Sequence, residues 1–195
     1  MNRYILIIVV LAAAVGYGYI QDHPEVLNAA GAGGISTAQV PESIEDGRDD
    51  IITTESGDPE IEAAYAQTQQ YLEQFITEFR NSGTNSEDYT VKVAFPIVDN
   101  SVEADEIIWT SGLEDLGEGK FAAILANDPE WMEGYKFGDR VEFTYDMIRD
   151  WALRADDKFY GHFTTRALMQ HMSPVDKAMI SGILMEDAVP PSFND

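Results

Sequence analysis

The sequence lacks cysteine and has few basic residues. None of its 195 residues is cysteine, which excludes disulfides, thiol catalysis, iron–sulfur clusters and cysteine-ligated zinc. Only 12 lysines and arginines stand against 35 aspartates and glutamates, so the formal net charge is -23. Proteins that bind nucleic acids hold the phosphates with a basic surface, which this chain is too acidic to provide. The composition therefore argues against a nucleic-acid partner.

The first twenty residues contain a long apolar run without a charge, from residue 4 to residue 20. As a helix, 17 such residues span about 26 Å, slightly less than a hydrocarbon core of about 30 Å. Arg3 precedes the run and Asp22 and Glu25 follow it, an order that keeps the N-terminus inside and sends the body across the membrane. We predict a signal-anchor over residues 1–20, with cleavage as a signal peptide as the alternative.

Residues 21–57 are small, polar and acidic, with scattered glycine and proline. From Gln21 to Asp58 there are nine acidic residues and one basic residue, Arg48, and no sustained apolar period. Such a composition buries too little surface to offset chain entropy. The segment is predicted to be a disordered acidic tether.

Residues 58–172 are predicted to form the folded domain, which begins with a long helix. Asp58 suits the N-cap and Pro59 the first helical position. Apolar residues then recur three and four apart as far as Phe79, and Gly83 follows the last turn. This pattern predicts a helix with one face docked on the rest of the domain.

Alternating apolar residues predict short strands over residues 89–95, 103–114, 119–126 and 140–144. Pro96 ends the first strand or places it at an edge. Residues 145–151 resemble a turn or short helix and residues 164–171 a short helix. A final helix and tail are predicted for residues 173–195. The predicted fold class is α+β: one long N-terminal helix packed on a small, mainly antiparallel sheet of three to five strands, with short C-terminal helices.

Several ordered motifs follow one another through this domain. They are Asp58-Pro59-Glu60-Ile61 with Ala64 and Leu72-x-x-Phe75, Val91-Lys92-Val93, Glu106-Ile107-Ile108-Trp109, Phe121 with Ile124-x-Ala126-Asn127-x-Pro129, Gly138-Asp139-x-Val141, Ile148-x-Asp150-Trp151, and Gly161-His162-Phe163-Thr164-x-Arg166. Over about residues 58–169 the chain resembles the bacterial family called domain of unknown function 2314, the YegJ-like proteins. The resemblance implies a fold and bacterial relatives but no established reaction. Ile107 replaces an imidazole of the family pattern and Phe163 replaces a tyrosine, which argues against a metal or acid–base role.

Eight residues are candidates for contact with a ligand or partner: Glu106, Trp109, Asp139, Asp150, Trp151, His162, Thr164 and Arg166. A carboxylate pair among them could perform acid–base hydrolysis if a cleft shifted one pKa. Each carboxylate also has a structural interpretation, since Asp150 can cap a helix or turn and Asp139 suits a tight turn. Arg166 can pair with either of them and fix the C-terminal helix.

Other signatures of catalysis or cofactor binding are missing from the sequence. It contains neither a serine-hydrolase elbow nor a phosphate-binding loop. His23, His162 and His171 do not have the spacing of a zinc site. We predict no metal and no cofactor. The tryptophans are more typical of core packing, although two exposed on one face would indicate a ligand surface.

Three functions are compatible with these features. The first is a non-catalytic binding or interaction module, anchored in the bacterial inner membrane through residues 4–20 with its body in the periplasm, or released there if the segment is cleaved. The second is an envelope hydrolase that needs two of Glu106, Asp139 and Asp150 within about 5 to 10 Å in an open cleft. The third is an acidic inhibitor that neutralises a basic protein partner, such as a lytic enzyme or toxin, by electrostatic complementarity.

Overall fold

The computed structural model describes residues 5–9, 51–55, 58–83, 86–99 and 102–194. The strands are β1 (Ile5–Val9), β2 (Ile51–Glu55), β3 (Tyr89–Asp99), β4 (Val102–Gly117), β5 (Lys120–Leu125), β6 (Arg140–Thr144), β7 (Ile148–Ala155) and β8 (Lys158–Gly161). The α-helices are α1 (Pro59–Asn81), α2 (Phe163–Leu168) and α3 (Pro174–Ile183). Short 3-10 helices cover Ser86–Asp88, Tyr145–Met147, Met169–His171 and Pro191–Phe193.

Helix α1 begins and ends where its sequence predicts. The Asp58 side chain accepts the N–H of Glu60 at 2.9 Å, and Pro59 occupies the first turn. The residues buried along one face lie three or four positions apart, apart from one adjacent pair: Ile61, Ala64, Thr68, Leu72, Phe75 and Ile76. The predicted long N-terminal helix is therefore confirmed, as are the short C-terminal helices.

Six strands form an antiparallel sheet in the order β6-β5-β4-β3-β7-β8, which confirms the α+β class. Strand β4 is long enough to pair with β3 over residues 102–110 and with β5 over residues 110–117. Pro96 does not end β3. It pairs with Asp105 of β4, beyond the last pair of β3 with β7, where a missing N–H is tolerated.

The predicted count of three to five strands was wrong because β7 carries no clear alternation and β8 has only four residues. Of the residues 145–151 predicted as a turn or short helix, the first three form a 3-10 helix and the other four begin β7. Its residues Asp150, Trp151 and Ala152 are buried in succession, since both faces of the sheet are covered at that point. A strand that is buried on both faces loses the period of two by which strands are recognised.

The two faces of the sheet pack against different helices. On one face, α1 and the sheet form the main core, where the rings of Phe75 and Trp151 stack at 5.0 Å between centroids. On the other face, Trp109, Ala152 and Phe159 pack against Ile180 of α3 and the adjacent Leu184. The sheet is therefore covered on both faces where β4, β7 and β8 lie between α1 and α3, so a polar side chain at that point becomes buried.

Only parts of the predicted anchor and tether fall within the described residues. Ile5–Val9 and Ile51–Glu55 form β1 and β2, which pair antiparallel, and β1 also pairs in parallel with β4 at Glu106 and Ile107. Both segments are rich in β-branched residues, which favour extended backbone. The remaining residues of 1–20 and 21–57 lie outside the described residues, so the anchor and the tether stay predictions. No helix in the described ranges is long and apolar enough to span a membrane.

Candidate functional site

Two of the candidate residues, Trp109 and Asp150, lie on either side of Lys92 in the middle of the sheet. Lys92 was not among the candidates. The strand register places Lys92 of β3 opposite Trp109 of β4 on one side and opposite Asp150 of β7 on the other. All three residues are buried, with at most 1% of their surface exposed. The Lys92 ammonium lies 5.5 Å from the centroid of the Trp109 ring. The structure thus brings together an acid and a base that are far apart in sequence.

The Asp150 carboxylate is surrounded by hydrogen-bond donors. Its Oδ1 accepts the N–H of Trp151 at 2.9 Å, the N–H of Phe163 at 3.1 Å and the Thr68 hydroxyl at 3.3 Å. Its Oδ2 accepts the N–H of Thr164 at 2.8 Å and the hydroxyl of Thr164 at 2.6 Å. Asp150 therefore caps the start of α2 and ties that helix to α1 and β7, and both of its oxygens are occupied by protein groups.

Thr164 connects the acid to the base. Its hydroxyl donates to Asp150 and accepts from Lys92 Nζ, at 3.3 Å. Burial raises the pKa of Asp150, an effect opposed by the Thr164 hydrogen bonds and by the Lys92 charge. Burial lowers the pKa of Lys92 to about 8, an effect opposed by the Asp150 charge. We call Thr68, Lys92, Asp150 and Thr164 the buried polar cluster.

His162 lies beside this cluster in a strained backbone conformation. Its φ of 55° is in the left-handed region, which costs a non-glycine residue about 1 kcal/mol or more. Its ring packs on Trp109 at 4.6 Å and against Phe159 at 5.6 Å, while Nδ1 lies 3.4 Å from the Thr165 hydroxyl. Burial lowers the pKa of His162 to about 3, so the ring is neutral at physiological pH.

We expect the folded domain to lose stability in acid because His162 is buried as a neutral imidazole. Because its pKa falls from 6.5 unfolded to about 3 folded, only the unfolded chain takes up the proton between these values. Stability present above about pH 6.5 is therefore lost as the pH falls, by roughly 2 kcal/mol down to about pH 4.5. In His162→Asn this contribution should be absent, so its urea-unfolding free energy should depend less on pH across that window.

The exposed His171 provides the control for this measurement. Its side chain lies on the surface, 3.5 Å from Glu60, so His171→Asn should keep the acid dependence of the wild-type protein. Equal pH dependence in wild type and His162→Asn would contradict a neutral, buried imidazole.

The remaining residues of the Gly161–Arg166 motif also have structural contacts. Phe163 packs edge-on against Trp151 at 5.3 Å. The Arg166 guanidinium donates to the carbonyl oxygens of Gly161 at 2.8 Å and Met185 at 2.9 Å, so it fixes the segment after α3 through backbone atoms. Burial lowers the pKa of Arg166, and the Asp150 charge opposes the shift.

Glu106 and Asp139 belong to a second region of the molecule. Glu106 is fully buried, and its two carboxylate oxygens accept the N–H groups of Glu130 at 2.6 Å and Trp131 at 3.0 Å. Asp139 accepts the N–H of Lys136 at 2.9 Å. The candidates therefore divide between the surroundings of the buried polar cluster and the connection between β5 and β6.

This connection comprises fourteen residues, 126–139, which we call the aromatic loop. Hairpin connections usually need about two to five residues, and longer ordered loops are often functional. The loop closes on itself, since Gly138 donates to the carbonyl of Leu125 at 3.0 Å and Leu125 donates to the carbonyl of Asp139 at 2.9 Å. Asp128 accepts the N–H of Phe137 at 2.7 Å. These bonds fix the loop backbone at both ends and across its middle.

The aromatic loop carries most of the large exposed aromatic side chains of the described residues. Trp131 is 38% exposed, Tyr135 48% and Phe137 41%, whereas Met132 packs inward against the main core. Trp109 and Trp151 are core residues. The three tryptophans therefore differ in role, and only Trp131 reaches the surface.

The sequence offers a weak signal for Lys92, and for Thr68 it offers only a position on the docking face of α1. Lys92 alternates with Val91 and Val93, a pattern typical of a strand with one solvent-facing side. Its ammonium instead contacts the Thr164 hydroxyl of α2 and the Trp109 ring, and the side chain is buried. The Trp131, Tyr135 and Phe137 group is visible in the sequence as three aromatics within seven residues, but its exposure is not.

No group of three or more histidines, aspartates or glutamates among the described residues is arranged to hold a metal ion. The carboxylates that could have formed a hydrolytic pair, Glu106 and Asp150, are both 0% exposed and bonded to protein groups. Asp150 thus connects α1, β7 and α2, whereas Glu106 holds the backbone of the aromatic loop.

Comparison with known proteins gives a family but no characterised relative. No curated protein and no solved structure matches the chain. The model of a family described as uncharacterized protein conserved in bacteria (DUF2314) matches residues 58–182, which include α1, the six-stranded sheet, α2 and most of α3. The chain belongs to the DUF2314 family.

Proposed function

We propose that this protein is a binding module without catalytic activity, tethered to the bacterial inner membrane with its body in the periplasm, and that it contacts a protein partner through the aromatic loop. The position of Arg3 before the apolar run 4–20, and of Asp22 and Glu25 after it, supports the membrane tether. The structure of the loop supports the binding role.

The observation that carries the proposal is the buried Glu106 carboxylate beneath the aromatic loop. Burying a carboxylate costs several kcal/mol of hydration free energy, which an apolar residue at the same position would avoid. Glu106 uses both oxygens to hold the backbone N–H groups of Glu130 and Trp131. The buried carboxylate therefore fixes the backbone at the residue that carries an exposed tryptophan side chain.

A loop held in this way is suited to binding. Tryptophan and tyrosine are enriched among the residues that dominate the energy of protein interfaces. Trp131 and Tyr135 present such side chains on a backbone that is already ordered, so little conformational entropy remains to be lost on association. Loops positioned by a rigid scaffold commonly carry function.

The hydrolase hypothesis has less support. A general acid or base has to reach within about 3 Å of a substrate atom. Asp150 is enclosed by α1, α2 and β7, and Glu106 is covered by the aromatic loop. Asp139 is the one carboxylate of the three that is partly exposed, and it is bonded to Lys136. These contacts leave no two of the three carboxylates open to a substrate together.

Site-specific photo-crosslinking tests the proposed surface. A photoreactive phenylalanine analogue is introduced at Tyr135 in the full chain, in cells of the bacterium that produces it. We expect a discrete covalent adduct, because Tyr135 is 48% exposed on the loop. Glu106→Gln should reduce the adduct yield about fivefold to tenfold, because the amide NH₂ cannot accept a hydrogen bond and leaves one of the two backbone N–H groups unpaired.

Two control positions make this result specific. Leu116 is 44% exposed and Met179 is 62% exposed, and both lie outside the aromatic loop. The same analogue at either position should give no adduct of the same mass. Glu73→Gln, which neutralises an exposed glutamate of α1, should leave the yield at Tyr135 unchanged. Equal adducts from all three positions would refute a contact surface at the loop.

A further inference from the structure

We infer that the aromatic loop recognises cationic side chains, arginine or lysine, on a basic polypeptide. This inference rests on the proposed function and names the partner's chemistry. A loop that binds such side chains needs exposed aromatic rings and carboxylates near them in the chain. Its backbone also has to be ordered before the partner binds.

The loop has the charge that this partner requires. Residues 126–139 contain four acidic residues, Asp128, Glu130, Glu133 and Asp139, against one basic residue, Lys136. Glu130 and Glu133 are exposed and flank the Trp131–Met132 pair in sequence. Exposed acidic residues are therefore the chain neighbours of the exposed aromatic residues in this loop.

The combination of charge and aromatic surface favours a cationic group over other occupants. An apolar partner segment would have to strip water from the neighbouring carboxylates without compensation. Nucleic acids and anionic lipid headgroups are repelled by a loop and a chain of negative net charge. A guanidinium or ammonium group is attracted both to the face of Trp131 or Tyr135 and to a carboxylate beside it.

The chain as a whole strengthens the same preference. Its net charge of -23 attracts a basic polypeptide over long range and raises the rate of encounter. Long-range attraction alone does not select a surface. The aromatic loop supplies the short-range contacts, because charged side chains elsewhere on the described surface, such as Glu73 and Glu78 of α1, have no exposed aromatic neighbour in their own helix.

Titration of the full chain in uncharged detergent with a short oligoarginine peptide tests the inference. Trp131 is the one exposed indole of the three, so its fluorescence should be quenched on binding while the buried Trp109 and Trp151 respond little. Calorimetry should give an affinity at least about a hundredfold higher for oligoarginine than for oligoglutamate of the same length. Added salt should weaken the binding.

Paired variants separate recognition by the loop from diffuse attraction. Trp131→Ser with Tyr135→Ser should weaken oligoarginine binding about tenfold, as should Glu130→Gln with Glu133→Gln. The matched control, Glu73→Gln with Glu78→Gln, removes the same charge from the exposed face of α1 and should change the affinity less than about twofold.

Two outcomes would overturn the inference. One is equal weakening by the loop pair and the α1 pair, which would mean that net charge alone attracts the peptide. The other is no preference for oligoarginine over oligoglutamate. Neither outcome touches the crosslinking result at Tyr135, which tests the existence of a contact surface independently of the partner's charge.

Discussion

Replacing Asp150 by alanine is expected to destabilise the domain by about 3–5 kcal/mol, a large part of the roughly 5–15 kcal/mol that holds a typical domain together. The substitution leaves the Lys92 ammonium buried without its counter-charge. It also removes the acceptor of the N–H groups of Phe163 and Thr164 at the start of α2. Urea unfolding followed by circular dichroism measures the loss.

The partner substitution tests whether the cost comes from the unpaired charge. In Asp150→Ala with Lys92→Met, no buried charge remains at these two positions, so the double variant should be more stable than Asp150→Ala alone by about 1–3 kcal/mol. Simple addition of the two single effects would contradict the coupling of Lys92 and Asp150 through Thr164.

A second large loss of stability is expected for Gly161→Ala. Gly161 has a φ of 76°, and an added Cβ would lie 2.1 Å from the carbonyl oxygen of Trp151 and 2.6 Å from Cε3 of its ring. The strand and the ring cannot both stay in place, so the expected loss is about 3–5 kcal/mol. A calorimetric melting temperature well below that of the wild type, at unchanged pH, would show it.

Gly83 is the matched control for this substitution. Its φ of 77° is nearly the same, but an added Cβ would meet no atom of the described part of the chain within 4 Å. Gly83→Ala should therefore cost only the backbone penalty, about 1–2 kcal/mol. If the two alanine variants had the same melting temperature, the close approach to Trp151 would not be the reason that glycine stands at position 161.

Both predictions concern residues around the motif Gly161-His162-Phe163-Thr164-x-Arg166, whose described contacts are internal. Gly161 makes room for Trp151, Phe163 packs on that ring, and Thr164 binds Asp150. Residues that match a family pattern so closely are readily taken for a binding site. Here their contacts point into the protein and join β7, β8, α1 and α2.

Local signals explain the parts of the fold that the sequence predicts well. The Asp58 cap, the following proline and the three-and-four spacing define α1 within its own residues. The hairpin between β4 and β5 has Glu118 and Gly119 at positive φ, as a two-residue turn requires. Strand β7 is different, because its burial on both faces depends on α1 and on the segment around α3, which are distant in sequence.

The sequence by itself determined the acidic charge, the absence of thiols, the helices, four of the strands and the family. Only the tertiary structure decided what Lys92, Asp150 and Glu106 do, because burial depends on which elements pack over a residue. The packing of Thr164 and Trp109 around its ammonium turns Lys92 from an apparent surface lysine into a buried base opposite Asp150. The fold of the β5–β6 connection over Glu106 leaves Trp131 and Tyr135 outside, on a loop whose backbone a buried carboxylate holds.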